Sequence, residues 1–113
     1  MKKSDKKKEN AIIAALTQAC EIAKDRGDGF EWLTHFVNYE RFPQSLLVVC
    51  VYDTNEQLAR ADQAAIGALI QQHLESIGIR VASIQRQVKF DSEENCEIAN
   101  NGNWDERLRR VSA

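Results

Sequence analysis

The chain has 113 residues, of which 43% are hydrophobic and 28% charged, and its formal net charge is −2. This length predicts one domain with a core of its own, and the composition excludes disorder of the whole chain. No apolar run approaches the roughly 20 residues that span a bilayer, and residues 1–10 do not lead into a secretory signal, so we expect a cytoplasmic protein with no membrane partner.

The charges are distributed unevenly along the chain. Residues 1–10 carry five lysines, whereas residues 91–106 carry six acidic side chains and no basic one. A near-neutral chain lacks the overall electrostatics of a dedicated DNA binder. The lysine-rich tip, residues 1–8, therefore predicts a solvated, partly frayed helix start, and contact with nucleic-acid phosphates is the alternative. The lysines concerned are Lys2, Lys3, Lys6, Lys7 and Lys8.

The first predicted helix begins near Ser4 or Asp5 and ends in the glycine-containing stretch 25–29, since glycine readily adopts the left-handed conformation of helix termini. Apolar residues recur along it every three or four positions, which gives one stripe that must pack on another element. These residues are Ile12, Leu16, Cys20 and Ala23.

Six of the eight aromatic residues lie between Phe30 and Tyr52, and this segment predicts two strands joined by a turn. The first strand runs from about Phe30 to Asn38, and its alternation places Phe30 and Trp32 on the same face. The connection, residues 39–45, contains the only proline of the chain. The second strand, residues 46–52, is apolar without alternation, so we expect it in the centre of the sheet.

A capping-box pattern at Thr54 and Gln57 predicts the start of the next helix. We expect this helix to end at Gly78. Gly67 lies in its middle, where a glycine costs stability, so it indicates a close approach to a neighbouring element.

The C-terminal third predicts a strand followed by two short helical segments. The strand covers about residues 79–90, with a bend near Ser83. Residues 91–113 predict an acidic turn, capped by Asp91 and Ser92, and a short C-terminal helix with Trp104 on its apolar side.

The element order is therefore α-β-β-α-β-α. We predict an α+β (mixed α/β) fold in which residues 1–113 form one small domain, with a three-stranded mixed sheet flanked by helices. The second and third strands are joined through a helix, and such a connection favours a right-handed parallel crossover.

The residues that carry chemistry show no coherent catalytic pattern. Asp53 ends the predicted central strand, where α/β domains often place functional groups, but capping of the next helix is the favoured interpretation. Asp53 with Gln87 and Lys89 resembles the pattern of metal-dependent nucleases, and this is the least favoured function. Three cysteines without a C-x-x-C pair, and two histidines without ligand spacing, do not predict a zinc site. We expect no catalytic residue, no metal and no cofactor.

Three segments, FEWLTHFVNYERFP, SLLVVCVYDT and QVKFDSEENC, resemble those of a small family of uncharacterised bacterial proteins. Some members of that family carry an automatic label as Fis-type transcriptional regulators. A Fis-type regulator is mostly helical with a basic helix-turn-helix at its C-terminus, whereas this chain predicts strands over residues 30–53 and is acidic over residues 91–106. The resemblance implies a shared fold and supplies no catalytic residue.

The predicted function is that of a non-enzymatic binding module that acts on a protein partner or by self-association. Aromatic area exceeds what one face of a small sheet requires, and interfaces favour such side chains. The alternative is a nucleic-acid-binding or transcription-regulatory accessory protein that uses the lysine-rich tip. The residues predicted to form the binding surface are Trp32, His35, Tyr39 and Phe42.

Overall fold

One sheet of three strands organises the computed structural model, which describes residues 2–112. The α+β class, the α-β-β-α-β-α order and the mixed sheet flanked by helices are as predicted. The helices are α1 (Lys3–Asp25), α2 (Asn55–Arg60), α3 (Gln63–Glu75), α4 (Ile84–Gln87), α5 (Glu93–Asn100) and α6 (Trp104–Ser112), and the strands are β1 (Phe30–Phe36), β2 (Leu47–Tyr52) and β3 (Val88–Ser92).

The strand order is β1-β2-β3, with β2 in the centre as expected. β1 pairs with β2 in antiparallel register, from Phe36 opposite Leu47 to Trp32 opposite Val51. β2 pairs with β3 in parallel register, from Val48 opposite Val88 to Tyr52 opposite Ser92. β1 and β3 are therefore the two edges of the sheet.

The sheet buries one face, the α1 face, against α1 and α3. Alternate side chains of each strand point to this face and form a core with the apolar stripes of both helices. Members of this core from the strands are Val48, Cys50, Tyr52 and Val88, and those from the helices include Ile12, Leu16, Ile66 and Ile70.

The prediction that Phe30 and Trp32 share a face is wrong. The register shifts between Phe30 and Trp32, so a bulge turns Phe30 to the α1 face. There its ring lies edge-on to that of Tyr52, with centroids 5.4 Å apart. Trp32 stays on the opposite face, which we call the α6 face.

The single helix expected from Thr54 to Gly78 is two helices. The predicted capping box is present, because the Gln57 N–H donates to the Thr54 hydroxyl and the Thr54 N–H to the Gln57 side chain. α2 then ends, and Asp62 begins α3 by accepting from the N–H of Ala65 at 3.0 Å. An aspartate side chain competes for backbone donors in this way, which explains the break. Gly67 is in close contact as predicted, since a Cβ there would lie 2.8 Å from Ile84 Cγ2.

The third strand is shorter and later than the predicted residues 79–90. β3 begins only at Val88, and α4 precedes it. The cause is Gln87, whose Nε2 donates to the carbonyls of Pro43 at 2.9 Å and Leu46 at 3.0 Å, while its Oε1 accepts from the N–H of Ser83 at 3.2 Å. A buried amide that holds three backbone groups fixes this segment as a turn.

α5 and α6 follow β3 and cover part of the α6 face. Ser92 caps α5 by accepting from the N–H of Asn95, as the sequence predicts. α6 is fixed to β3 by Arg107, which binds the carboxylate of Asp91 through two nitrogens. No helix within residues 2–112 is long and apolar enough to cross a membrane.

Candidate binding surfaces

The free edge of β1 is the first candidate surface. β1 pairs with β2 on one side only. Among the described residues, no turn or loop forms a backbone–backbone hydrogen bond with residues 31–36. An edge strand presents unpaired N–H and C=O groups, and these form a template for another strand.

α1 runs beside this edge and leaves a groove between helix and strand, which we call the seam groove. Its volume is about 270 Å³. The helix side includes Ile13, which is 48% exposed, and the strand side includes Leu33 and His35. The groove therefore combines an apolar wall with a free strand edge. Its lining is Ile13, Leu16, Thr17, Cys20, Glu21, Lys24, Leu33, Thr34 and His35.

Cys20 is a partly exposed thiol in this groove. Burial raises the pKa of the Cys20 thiol above its ordinary value, against the opposing effects of the Leu33 backbone and Lys24. Since the thiolate is the reactive form, Cys20 is a poor nucleophile. Cys50 and Cys96 are fully buried, and burial also raises the pKa of both thiols. Because Cys20 lines the groove and is more exposed than the other two thiols, its slow alkylation reports access to the groove.

At one end of the seam groove, Glu9 gathers two of the predicted binding residues. Its Oε1 contacts Nε2 of His35, and its Oε2 accepts from the Tyr39 hydroxyl at 3.0 Å. Burial, and the hydrogen bond to the Glu9 carboxylate, raise the pKa of Tyr39 to about 12. Tyr39 also stacks on Phe42 at 5.5 Å, and Lys8 Nζ lies 5.3 Å from the centre of the Phe42 ring. The structure therefore brings His35, Tyr39 and Phe42 together.

A wider groove of about 630 Å³ continues from this cluster and shares His35 with the seam groove. It runs past the β1–β2 connection toward the end of α6. Together the two grooves border residues 33–36 of β1. The further lining residues are Glu9, Phe36, Val37, Asn38, Arg41, Ser45, Leu47 and Val111.

Trp32, the fourth predicted binding residue, lies apart from this cluster on the α6 face. Its Nε1 donates to Glu93 Oε1 at 2.9 Å, and Trp104 Nε1 donates to the same oxygen at 2.8 Å. The two indole rings meet edge to face, with centroids 4.8 Å apart. Trp32 thus holds α6 on the sheet, so its ring contributes to the packing of the fold.

The lysine-rich tip lies mostly on α1, which begins at Lys3. All five of its lysines are exposed. Lys7 and Lys8 line a separate groove with an apolar floor. An exposed row of cations fits phosphates and acidic protein surfaces equally, so it does not select the partner by itself.

The structure does not assemble the pattern of a metal-dependent nuclease. Gln87 uses its amide to hold backbone groups, and Lys89 lies opposite Val49, four residues before Asp53. Lys89 Nζ donates to the carbonyl of Gln85 instead. Within residues 2–112, no group of three His, Cys, Asp or Glu side chains lies close enough to hold a metal ion.

Glu9 and Ile13 were not selected from the sequence as binding residues. A signal existed for Glu9, because it lies one turn before Ile12 and Ile13 on the helix that carries the apolar stripe. A carboxylate at such a position predicts a polar partner on the facing element. Ile13 gave no separate signal, because the apolar stripe of α1 is complete whether the Ile13 side chain is buried or exposed.

Comparison of this chain with protein-family models, with curated proteins and with solved structures found no match. The resemblance to the bacterial family therefore stays a prediction.

Proposed function

We propose that this protein binds an extended segment of a partner protein, which adds as a strand to the free edge of β1. The observation that carries the proposal is the seam groove, in which an unpaired strand edge runs beside a half-exposed apolar helix wall. Peptide-binding domains that work by strand addition combine these two parts, because backbone hydrogen bonds supply affinity and side-chain pockets supply specificity.

The groove favours a segment with apolar side chains at alternate positions. An added strand lies about 4.8 Å from β1, and its side chains alternate between the two faces of the sheet. Those on the α1 face would meet Ile13 and Leu33, while those on the α6 face would extend the half-buried row that contains Phe36. At the His35 end, the Glu9 carboxylate favours a partner residue that donates a hydrogen bond.

The contact area limits the expected affinity. A single added strand with one groove forms a small interface, typical of transient complexes. Dissociation constants near 1 µM correspond to about −8 kcal/mol, and we expect values in this range or weaker.

The test begins with selection of random ten-residue peptides on the immobilised protein, followed by fluorescence-polarisation titration of a selected peptide. Ile13→Lys places a charge in the groove. Ile22→Lys is the matched control, because Ile22 lies on the same helix at 43% exposure, compared with 48% for Ile13, and does not line the groove. We expect Ile13→Lys to weaken binding at least tenfold and Ile22→Lys to leave it unchanged.

Alkylation of Cys20 supplies a second measurement on the same samples. A peptide in the seam groove should slow the reaction of Cys20 with iodoacetamide, as read by peptide mass spectrometry. Equal weakening by both lysine variants, or no protection of Cys20, would contradict the proposal. A dimer that Ile13→Lys dissociates would also overturn it, by assigning the edge to a second copy.

A further inference from the structure

A third groove, which we call the basic socket, lies at the N-terminal end of α1. It has a volume of about 380 Å³ and is formed where the first turns of α1 meet Phe42 and residues 77–79. Its floor is apolar, with Ile77 37% exposed, and Lys7 and Lys8 stand at its rim. It shares no lining residue with the seam groove. The full lining is Ser4, Lys7, Lys8, Ala11, Phe42, Ile77, Gly78 and Ile79.

α5 carries a surface of the complementary kind, which we call the acidic knob. It consists of Glu94, Glu97 and Ile98, all exposed. Ile98 is 73% exposed, the highest value among the exposed large apolar side chains of the described residues. Glu94 lies one helical turn before Ile98 on the same side, and Glu97 precedes it directly. An exposed apolar side chain with carboxylates beside it is complementary to an apolar floor with a basic rim.

The knob and the socket lie at opposite ends of the sheet. Phe42 belongs to the connection that leads into β2, whereas α5 follows the far end of β3, which runs parallel to β2. The six residues of β2 alone separate these ends by about 20 Å, since a strand rises roughly 3.3 Å per residue. A chain therefore cannot fill its own socket.

We propose that the acidic knob of one copy docks in the basic socket of a second copy. Ile98 packs on Phe42 and Ile77, and the two glutamates face Lys7 and Lys8. Because the two surfaces differ, the contact is head-to-tail, and each copy keeps a free knob or socket for a further neighbour. The association is weak and depends on salt, since exposed charges are screened within about 8 Å at physiological ionic strength.

Sedimentation velocity of the full chain over a range of concentrations, at low and high salt, tests this contact. We expect the wild type to form oligomers that grow with concentration at low salt and dissociate at high salt. Ile98→Ser and the double variant Lys7→Glu/Lys8→Glu should each weaken association at least tenfold. Ile22→Ser is the control for loss of an exposed isoleucine. Lys2→Glu/Lys3→Glu is the control for the same change of charge on exposed lysines that do not line the socket.

Mixing the two disabled variants gives the sharpest outcome. Ile98→Ser keeps its socket and Lys7→Glu/Lys8→Glu keeps its knob, so an equimolar mixture should form a dimer that neither variant forms alone and that grows no further. A wild type that stays monomeric at low salt overturns the proposal and leaves the socket to a partner of another sequence. Equal weakening by Lys2→Glu/Lys3→Glu overturns it as well, by attributing association to net charge.

Discussion

Replacing Arg107 by alanine tests what holds α6 on the sheet. Arg107 Nε donates to Asp91 Oδ2 at 2.6 Å and Nη2 donates to Oδ1 at 3.0 Å, with side chains 24% and 17% exposed. Exposed ion pairs contribute up to about 1 kcal/mol, whereas loss of one partner from a buried pair costs about 3–5 kcal/mol. This pair is intermediate, so we expect Arg107→Ala to lower the free energy of unfolding by about 2 kcal/mol.

The same pair gives the variant a distinct pH dependence. Burial alone would raise the pKa of Asp91, but hydrogen bonds from Arg107, the Ser92 N–H and Asn95, with the charge of Arg107, hold it below its ordinary value. A carboxyl with a lowered pKa stabilises the folded state above the unfolded pKa of about 3.9, and the stabilisation is lost as the pH falls through the folded value. The difference between wild type and Arg107→Ala should therefore be largest at neutral pH and shrink below about pH 4.

Urea unfolding followed by tryptophan fluorescence measures this directly. The chain has two tryptophans, and both lie in the contact between α6 and the sheet. Arg109→Ala is the control, since Arg109 lies on the same helix and is exposed, and such substitutions change stability by about 0.5 kcal/mol or less. Equal effects of the two variants, or a difference that persists unchanged into acid, would refute the reasoning.

Three further predictions concern the core. Burial raises the pKa of Tyr52 to about 12, as burial and Glu9 do for Tyr39, so absorbance titration of the folded protein should show both tyrosines ionising near pH 12. Their contribution to stability is fully present below about pH 10 and lost as the pH rises through 12, and a folded-state midpoint near 10 would contradict this. Gly67→Ala should destabilise the fold by about 1–3 kcal/mol in urea, because the new Cβ meets Ile84, and a stability gain would show that Ile84 gives way. Gln87→Leu leaves three backbone groups without their partner and should cost at least about 2 kcal/mol in the same assay, whereas a neutral result would deny its structural role.

The parts of the fold that were predicted from the sequence depend on neighbouring residues. The helix caps at Thr54 and Ser92 each form within four consecutive residues, so the local sequence is enough to predict them. The central strand β2 is also predictable from local sequence, because burial on both faces makes every one of its positions apolar.

The parts that were not predicted depend on residues far apart in the chain. Gln87 ends the expected strand by binding carbonyls more than 40 residues away, and no local pattern announces such a bond. Trp32 was expected on the binding surface because the first strand has surplus aromatic area, and its hydrogen-bond partner Glu93, which fixes it elsewhere, lies 61 residues away. The cluster of His35, Tyr39 and Glu9 likewise joins α1 to the β1–β2 connection, so its assembly required the fold.

The two edges of the sheet differ in how they are protected, and this supports strand addition at β1. Natural proteins blunt an exposed edge with lysine, proline, short length or a bulge. β3 has only five residues, carries the exposed Lys89 and passes directly into α5. β1 has seven residues without lysine, arginine or proline, and its bulge lies at the Phe30 end, away from the segment 33–36 that borders the grooves. An unprotected edge beside an apolar wall is a hazard unless a segment pairs with it, so Thr34→Lys, which adds the missing protection, should abolish peptide binding while the urea midpoint stays close to that of the wild type.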